Sequence, residues 1–143
     1  MKNFIFYWLP VILWMGFLFP LTNSSLSMDT TSKIIVPVIK FFIPNADEQT
    51  VHLLHVLIRK FIHFWEYALL AFLLYRGFNA INKRNWRVKS LFLSGIIAVS
   101  SGFLDEFLQY FISTRTGSII DGFINTAGVV FILTILSLKT VNR

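Results

Sequence analysis

From Asn3 to Met28 the chain carries no charged side chain, and three later runs, Leu69 to Tyr75, Leu91 to Val99 and Val129 to Leu138, are almost wholly apolar. Lipid accepts such runs readily. It also demands that each backbone N–H and C=O find its partner within the segment, so a span crosses as a helix of about 20 residues, and the three shorter runs read as the inner halves of such helices. Composition agrees. The 143 residues are 55% apolar, with 16 Phe and 4 Trp, and only 14% are charged, whereas a soluble domain carries roughly a quarter. The pattern predicts an all-α, integral membrane bundle of four transmembrane helices, forming one domain over residues 1–143 with spans near 4–21, 56–75, 90–111 and 119–138. Cysteine is absent, which excludes disulfides and thiolate chemistry.

The first span follows Lys2. Its aromatic character, Pro10 and the lack of a small-x-small site after Leu21 favour a retained helix over a cleaved signal peptide. Residues 22–45 are apolar but interrupted by Pro37 and Pro44, so the reading is an extracytoplasmic segment lying in the interface or folding back over the helices. The second span opens on helix-start chemistry. Asn45 or Asp47 can cap, and Asp47 and Glu48 suit the positive end of the dipole. A helix from Asp47 to Tyr75 would be roughly 43 Å long, so its first turns project beyond the hydrocarbon. His52, His55 and Arg59 lie on those turns as a basic stripe facing solvent or head groups. A basic loop from Arg76 to Lys89 follows. In the third span Ser94, Ala98 and Gly102 form a small-residue face for close helix contact. Ser113 to Ser118 makes a tight connection to the fourth. The Trp and Phe side chains are expected at lipid or the interface.

Orientation follows from the basic residues. Four spans put both termini and the Arg76–Lys89 loop on one side, which holds Lys2, Arg76, Lys83, Arg84, Arg87, Lys89, Lys139 and Arg143 and no acid. That side is assigned to the cytoplasm. All seven acidic residues fall in the opposite half. The net charge of +6 therefore reads as loops facing anionic lipid, and nucleic acid is excluded as a partner.

Helical geometry gathers the unusual polar groups. Lys60, His63, Glu66 and Tyr67 share an arc of about 120°, and Asp105, Glu106 and Gln109 one of about 100°. Asp121 and Asn125 are one turn apart, with Gly128 on the same stripe and Arg115 in the preceding loop. With the spans in alternating directions, the three sets lie at one depth, in the outer leaflet. Charge facing lipid costs several kcal/mol per group, so these residues face inward and pair, or line a wet pocket. Structural ion pairs, Lys60 with Glu66 and Arg115 with Asp121, are the plainer alternative. They account for single pairs more easily than for the whole set.

The segments R-K-x-x-H-x-x-E-Y from Arg59 to Tyr67, D-E-x-x-Q from Asp105 to Gln109, R-T-G-S-x-x-D from Arg115 to Asp121 and N-T-x-G from Asn125 to Gly128 resemble the VanZ-like family of bacterial membrane proteins over about residues 5–138. Trp65 stands where the resemblance leads one to expect a smaller residue. The resemblance implies a cell-envelope protein of the bacterial plasma membrane, linked to resistance to the glycopeptide teicoplanin, and supplies no mechanism.

The residues themselves limit the chemistry. His63, Glu66, Asp105, Glu106 and Asp121 are the candidate catalytic groups, with His63 as base and Glu66 orienting it, or together as ligands of a hard divalent cation. Their spacing matches no specific metal site. Lys60, Tyr67, Gln109, Arg115 and Asn125 are the candidate substrate-binding groups, with Lys60 and Arg115 suited to phosphate. Ser100, Ser101 and Ser118 show no local signature of activation. Three functions follow. The first is a membrane enzyme or binding protein for a phosphate-bearing, lipid-linked or glycopeptide ligand. The second is a small proton-coupled transporter, which predicts polar groups in the inner halves as well. The third is a non-catalytic interaction or scaffold protein.

Overall fold

In the computed structural model, which describes residues 2–18, 28–81, 87–111 and 118–141, every regular element is a helix. They are α1 (Lys2–Leu18), α2 (Met28–Phe42), α3 (Glu48–Ile81), α4 (Arg87–Tyr110) and α5 (Ile119–Val141). Two segments, Arg87–Tyr110 and Ile119–Leu138, are long and apolar enough to cross a membrane, and Phe4–Leu18 is a shorter apolar helix. α3 is longer, at 34 residues, but Lys60, His63 and Glu66 interrupt its apolar run.

Of the two candidate caps for α3, Asp47 serves. Its Oδ1 accepts the Thr50 N–H at 3.1 Å and its carbonyl accepts the Val51 N–H at 3.0 Å. Hydrogen bonds from Thr50 hold the Asp47 carboxyl below the usual carboxylate range. At the other end, α3 continues past Tyr75 to Ile81 and α4 begins at Arg87, so Arg76, Arg87 and Lys89 lie in helices and not in the expected loop. Lys83, Arg84 and Trp86 lie outside the described residues.

The extension has a physical reason in α1. Pro10 sits inside that helix and has no N–H, which leaves the carbonyl four residues earlier, on Phe6, without its helical donor. Arg76 supplies one: its Nη2 donates to the Phe6 carbonyl at 3.1 Å, and its guanidinium lies 4.9 Å from the Phe6 ring centroid and 5.2 Å from that of Tyr7. Next to it, a Cβ at Gly77 would stand 3.3 Å from the Trp8 ring, which also meets Phe78 edge-on at 5.1 Å. Further along, Trp14 Nε1 donates to the Glu66 carbonyl at 3.1 Å. α1 thus runs antiparallel to α3, and Trp8 and Trp14 face α3, against the lipid-facing expectation. Trp65, 46% exposed, does face outward.

α3 is the central element. Among the described residues it touches every other helix, α4 and α5 also touch, and α1 and α2 touch α3 alone. The apolar core combines Val11 and Leu18 with Tyr67, Leu70, Ala71 and Leu74 of α3, Ala98 of α4 and Val129 of α5. The buried face of α4 is small and polar throughout: Ser90, Ser94, Ala98, Ser101, Gly102, Asp105, Glu106 and Gln109. Large apolar side chains, among them Phe92, Phe107, Phe111, Phe123 and Ile119, point outward.

The proline-rich stretch is a helix. Pro37 lies within α2, correcting the expectation that it breaks the segment, while Pro44 falls after its end, where the Ile43 and Ala46 N–H groups close turns on Ile39 and Ile43. α2 folds back along the first turns of α3. Ile39 and Val51 are buried, while Ile34, Val38, Phe41 and Phe42 are exposed. One polar contact fixes the pair. His55, buried, meets Thr31 Oγ1 through Nε2 at 3.1 Å. Burial, then the charges of Arg59 and His52, push the His55 imidazole below its ordinary value of 6.5. A base whose folded value is depressed contributes stability that is complete above its unfolded value and is lost as pH falls through 6.5 toward the folded value. Amide protection factors in α2, with exchange taken relative to its intrinsic rate at each pH, are therefore expected to fall as pH drops below 6.5 in the wild type and to lose this pH dependence in His55→Leu. An equal fall in both would take His55 out of the contact.

Candidate functional site

The site exists because three helices approach closely at one level. On α5, a Cβ at Gly128 would lie 2.1 Å from the Phe64 carbonyl oxygen of α3, so only glycine permits this crossing. On α4, a Cβ at Gly102 would meet Asn125 Cβ at 3.2 Å and the Tyr67 ring at 3.4 Å. Tyr67 and Asn125 are each 1% exposed. Contacts of Lys60 with Asp121 and of Phe64 with Gly128 show α3 and α5 running parallel. Those of Tyr67 with Gly102, and of Phe103 with Gly122, show α4 antiparallel to both.

Four polar contacts organise the layer. Lys60 Nζ pairs with Asp121 Oδ1 at 2.5 Å, at the layer's more open edge, where the two side chains are 32% and 25% exposed. His63 Nδ1 lies 3.3 Å from Glu66 Oε2, with both side chains 16% exposed. Gln109 Nε2 donates to Asp105 Oδ2 at 3.0 Å, and the Ser118 backbone N–H donates to Glu106 Oε2 at 2.9 Å. In the last of these, an acid on α4 serves the first turn of α5, where Ser118 already accepts from the Asp121 and Gly122 N–H groups. Glu106 is also within Coulombic reach of His63, Asp121 and Asp105, and Tyr67 within reach of Asp105, Glu66 and Glu106. The groups form one electrostatic unit.

Nine of the ten expected site residues, Lys60, His63, Glu66, Tyr67, Asp105, Glu106, Gln109, Asp121 and Asn125, come together in this layer. Arg115 lies outside the described residues, as does its expected pairing with Asp121. The pairing of Lys60 with Glu66 is corrected: Lys60 reaches across to α5, and Glu66 turns to His63 one helical turn away. Among the described residues no three His, Asp or Glu side chains are placed to hold one metal ion. Sequence reasoning missed the Ser118 N–H as a partner of Glu106. Its only signal was Ser118 at a helix-start position.

Several hydrogen-bonding atoms remain open. Among the described residues, Asp105 Oδ1, Glu106 Oε1, His63 Nδ1 and both side-chain heteroatoms of Asn125 are buried in this layer with no hydrogen-bond partner, as are Trp8 Nε1, Arg76 Nε and Ser90 Oγ elsewhere. Buried polar groups are normally satisfied, and an unmet one costs about 1–3 kcal/mol. Glu106 and Ser118 are polar members of an apolar groove of about 610 Å³ between α4 and the start of α5, otherwise walled by Phe103, Leu104, Phe107, Tyr110 and Ile119.

A model of the VanZ/LLP1 family matches residues 4–140. No curated protein and no solved structure shows a significant match.

Proposed function

This chain belongs to the VanZ/LLP1 family, and from that premise we propose that it is a four-span protein of the bacterial plasma membrane whose polar layer binds an amphiphilic, phosphate-bearing envelope substrate and so contributes to glycopeptide resistance. The observation that carries this reading is the set of open, buried atoms on His63, Asp105, Glu106 and Asn125. Five unmet buried atoms fall in this one layer, against three over the rest of the described residues, and each weakens the bundle it sits in unless a ligand meets it. A ligand's polar head, entering beside the more exposed Lys60–Asp121 pair, meets them. Lys60 and Arg115 are the cations for its phosphate, and His63, oriented by Glu66, is the group best placed to move a proton on it.

The four-span arrangement is supported by the alternating directions of α1, α3, α4 and α5, and the orientation by the eight basic residues on the terminal side. α2, with its exposed Ile34, Val38, Phe41 and Phe42, suits the interface on the other side.

Teicoplanin susceptibility, with vancomycin as comparison, tests the reading in cells carrying wild type, Glu66→Gln, Asp105→Asn or Arg115→Ala at matched membrane levels. Wild type is expected to protect, and each substitution to abolish protection. Protection that survives all three makes the layer structural and puts the interaction-protein reading first.

A further inference from the structure

We propose that the groove between α4 and α5 holds an acyl chain of the bound amphiphile, and that Glu106 in its lining selects a head group bearing a hydrogen-bond donor, a hydroxyl or an ammonium, beside the chain. The inference rests on the substrate reading above and specifies the class of lipid. Three features carry it. The walls are large apolar side chains that open outward, Phe107 at 60%, Tyr110 at 75% and Ile119 at 74% exposure, and the volume of about 610 Å³ lies within the usual 300–1,000 Å³ of small-molecule sites. Glu106 is 6% exposed and lines this groove. One of its oxygens is taken by the Ser118 N–H, while the other has no partner among the described residues.

The unmet atoms define the head group. Asp105 Oδ1 and Glu106 Oε1 belong to carboxyl groups, which as carboxylates only accept, so they call for donors. A choline head offers none. A glycerol or an ethanolamine does, and either also carries the phosphate that Lys60 is assigned. A second groove of about 600 Å³, walled by Val88, Leu91, Phe92, Ile96 and Leu133, has no acid in its lining and serves as the internal control: lipid tails contact it without regard to head group.

The chain has no cysteine, so Tyr110→Cys and Phe92→Cys each give a unique attachment point for a bimane fluorophore in the otherwise unaltered full chain. In nanodiscs of phosphatidylcholine doped with nitroxide-labelled acyl chains on phosphatidylethanolamine, phosphatidylglycerol or phosphatidylcholine, quenching reports occupancy. At Tyr110→Cys, the ethanolamine or the glycerol lipid is expected to quench at about tenfold lower concentration than the choline lipid, the ratio that one hydrogen bond to a charged group is worth; which of the two does so identifies the donor as ammonium or hydroxyl. At Phe92→Cys, all three are expected to quench alike. Glu106→Gln keeps an oxygen for the Ser118 N–H and turns an NH₂ toward the groove, and is expected to erase the preference. Leu104→Trp, which fills the groove from its exposed side without touching Glu106, is expected to weaken quenching by the preferred lipid, and keeps the test open where Glu106→Gln does not fold. Equal quenching by all three lipids at Tyr110→Cys overturns the proposal. That result alongside loss of protection in Asp105→Asn removes the groove and leaves the polar layer as the site. A lipid preference alongside unchanged protection does the reverse.

Discussion

Gly128→Ala is expected to lower the unfolding midpoint of the detergent-solubilised protein further than any other single methyl group added to a glycine of the bundle. The new Cβ would sit 2.1 Å from the Phe64 carbonyl oxygen and 3.0 Å from its carbon, whereas ordinary contact begins at 3.4 Å. Neither side of this contact is a flexible side chain. α3 and α5 must move apart along their whole crossing, and with them the Lys60–Asp121 pair and the packing around Asn125. Overpacking typically costs about 1–3 kcal/mol, and a clash between two helix backbones belongs at or above the top of that range. Gly122→Ala is the control. Its Cβ would meet the Phe103 ring at 2.9 Å, but that ring is 38% exposed and can swing outward, so a cost below about 1 kcal/mol is expected. Equal midpoints for the two variants would mean that the crossing is looser than Gly128 implies.

Asn125→Leu is expected to act in opposite directions on stability and on function. The amide is 1% exposed and neither its oxygen nor its nitrogen has a partner among the described residues, so a leucine of the same branching replaces two unmet groups with apolar contacts. Removing unmet buried polar atoms in this way is expected to raise stability by about 1–2 kcal/mol, read as a higher midpoint in the same detergent assay. Protection against teicoplanin should be lost, because the ligand then faces a hydrocarbon where it met an amide. The sign of the stability change is the decisive reading. A lower midpoint would show that Asn125 is satisfied within the folded protein and that its role is to join α5 to its neighbours.

How far such a site can be seen in advance depends on the range over which its interactions act. Periodicity placed Lys60, His63, Glu66 and Tyr67 on one face, and Asp105, Glu106 and Gln109 on another, because side chains three and four residues apart must share a helix face. The apolar runs located α4 and α5 closely for a similar reason. Pairings between helices were out of reach. Lys60 meets Asp121 across 61 positions, and nothing in the neighbourhood of either residue distinguishes that pair from Lys60 with Glu66. The groove was hidden for another reason. Phe103 and Phe107 read as lipid-facing residues, and both are exposed; the selectivity proposed for the groove rests on Glu106, and what Glu106 has left to offer depends on the Ser118 N–H of the next helix. The end of α3 was misplaced because Arg76, taken alone, is a basic residue at the close of an apolar run, the ordinary mark of a loop.

The contact between Arg76 and the Phe6 carbonyl also orders the protein in time. The two groups are 70 residues apart, and a ribosome adding about 5–20 residues per second separates them by roughly 4–14 s. Throughout that interval the donor that Arg76 gives the carbonyl freed by Pro10 has not yet been made, so the bonding of the earliest segment is completed by a residue from the far end of α3, and a chain truncated before Arg76 lacks that donor.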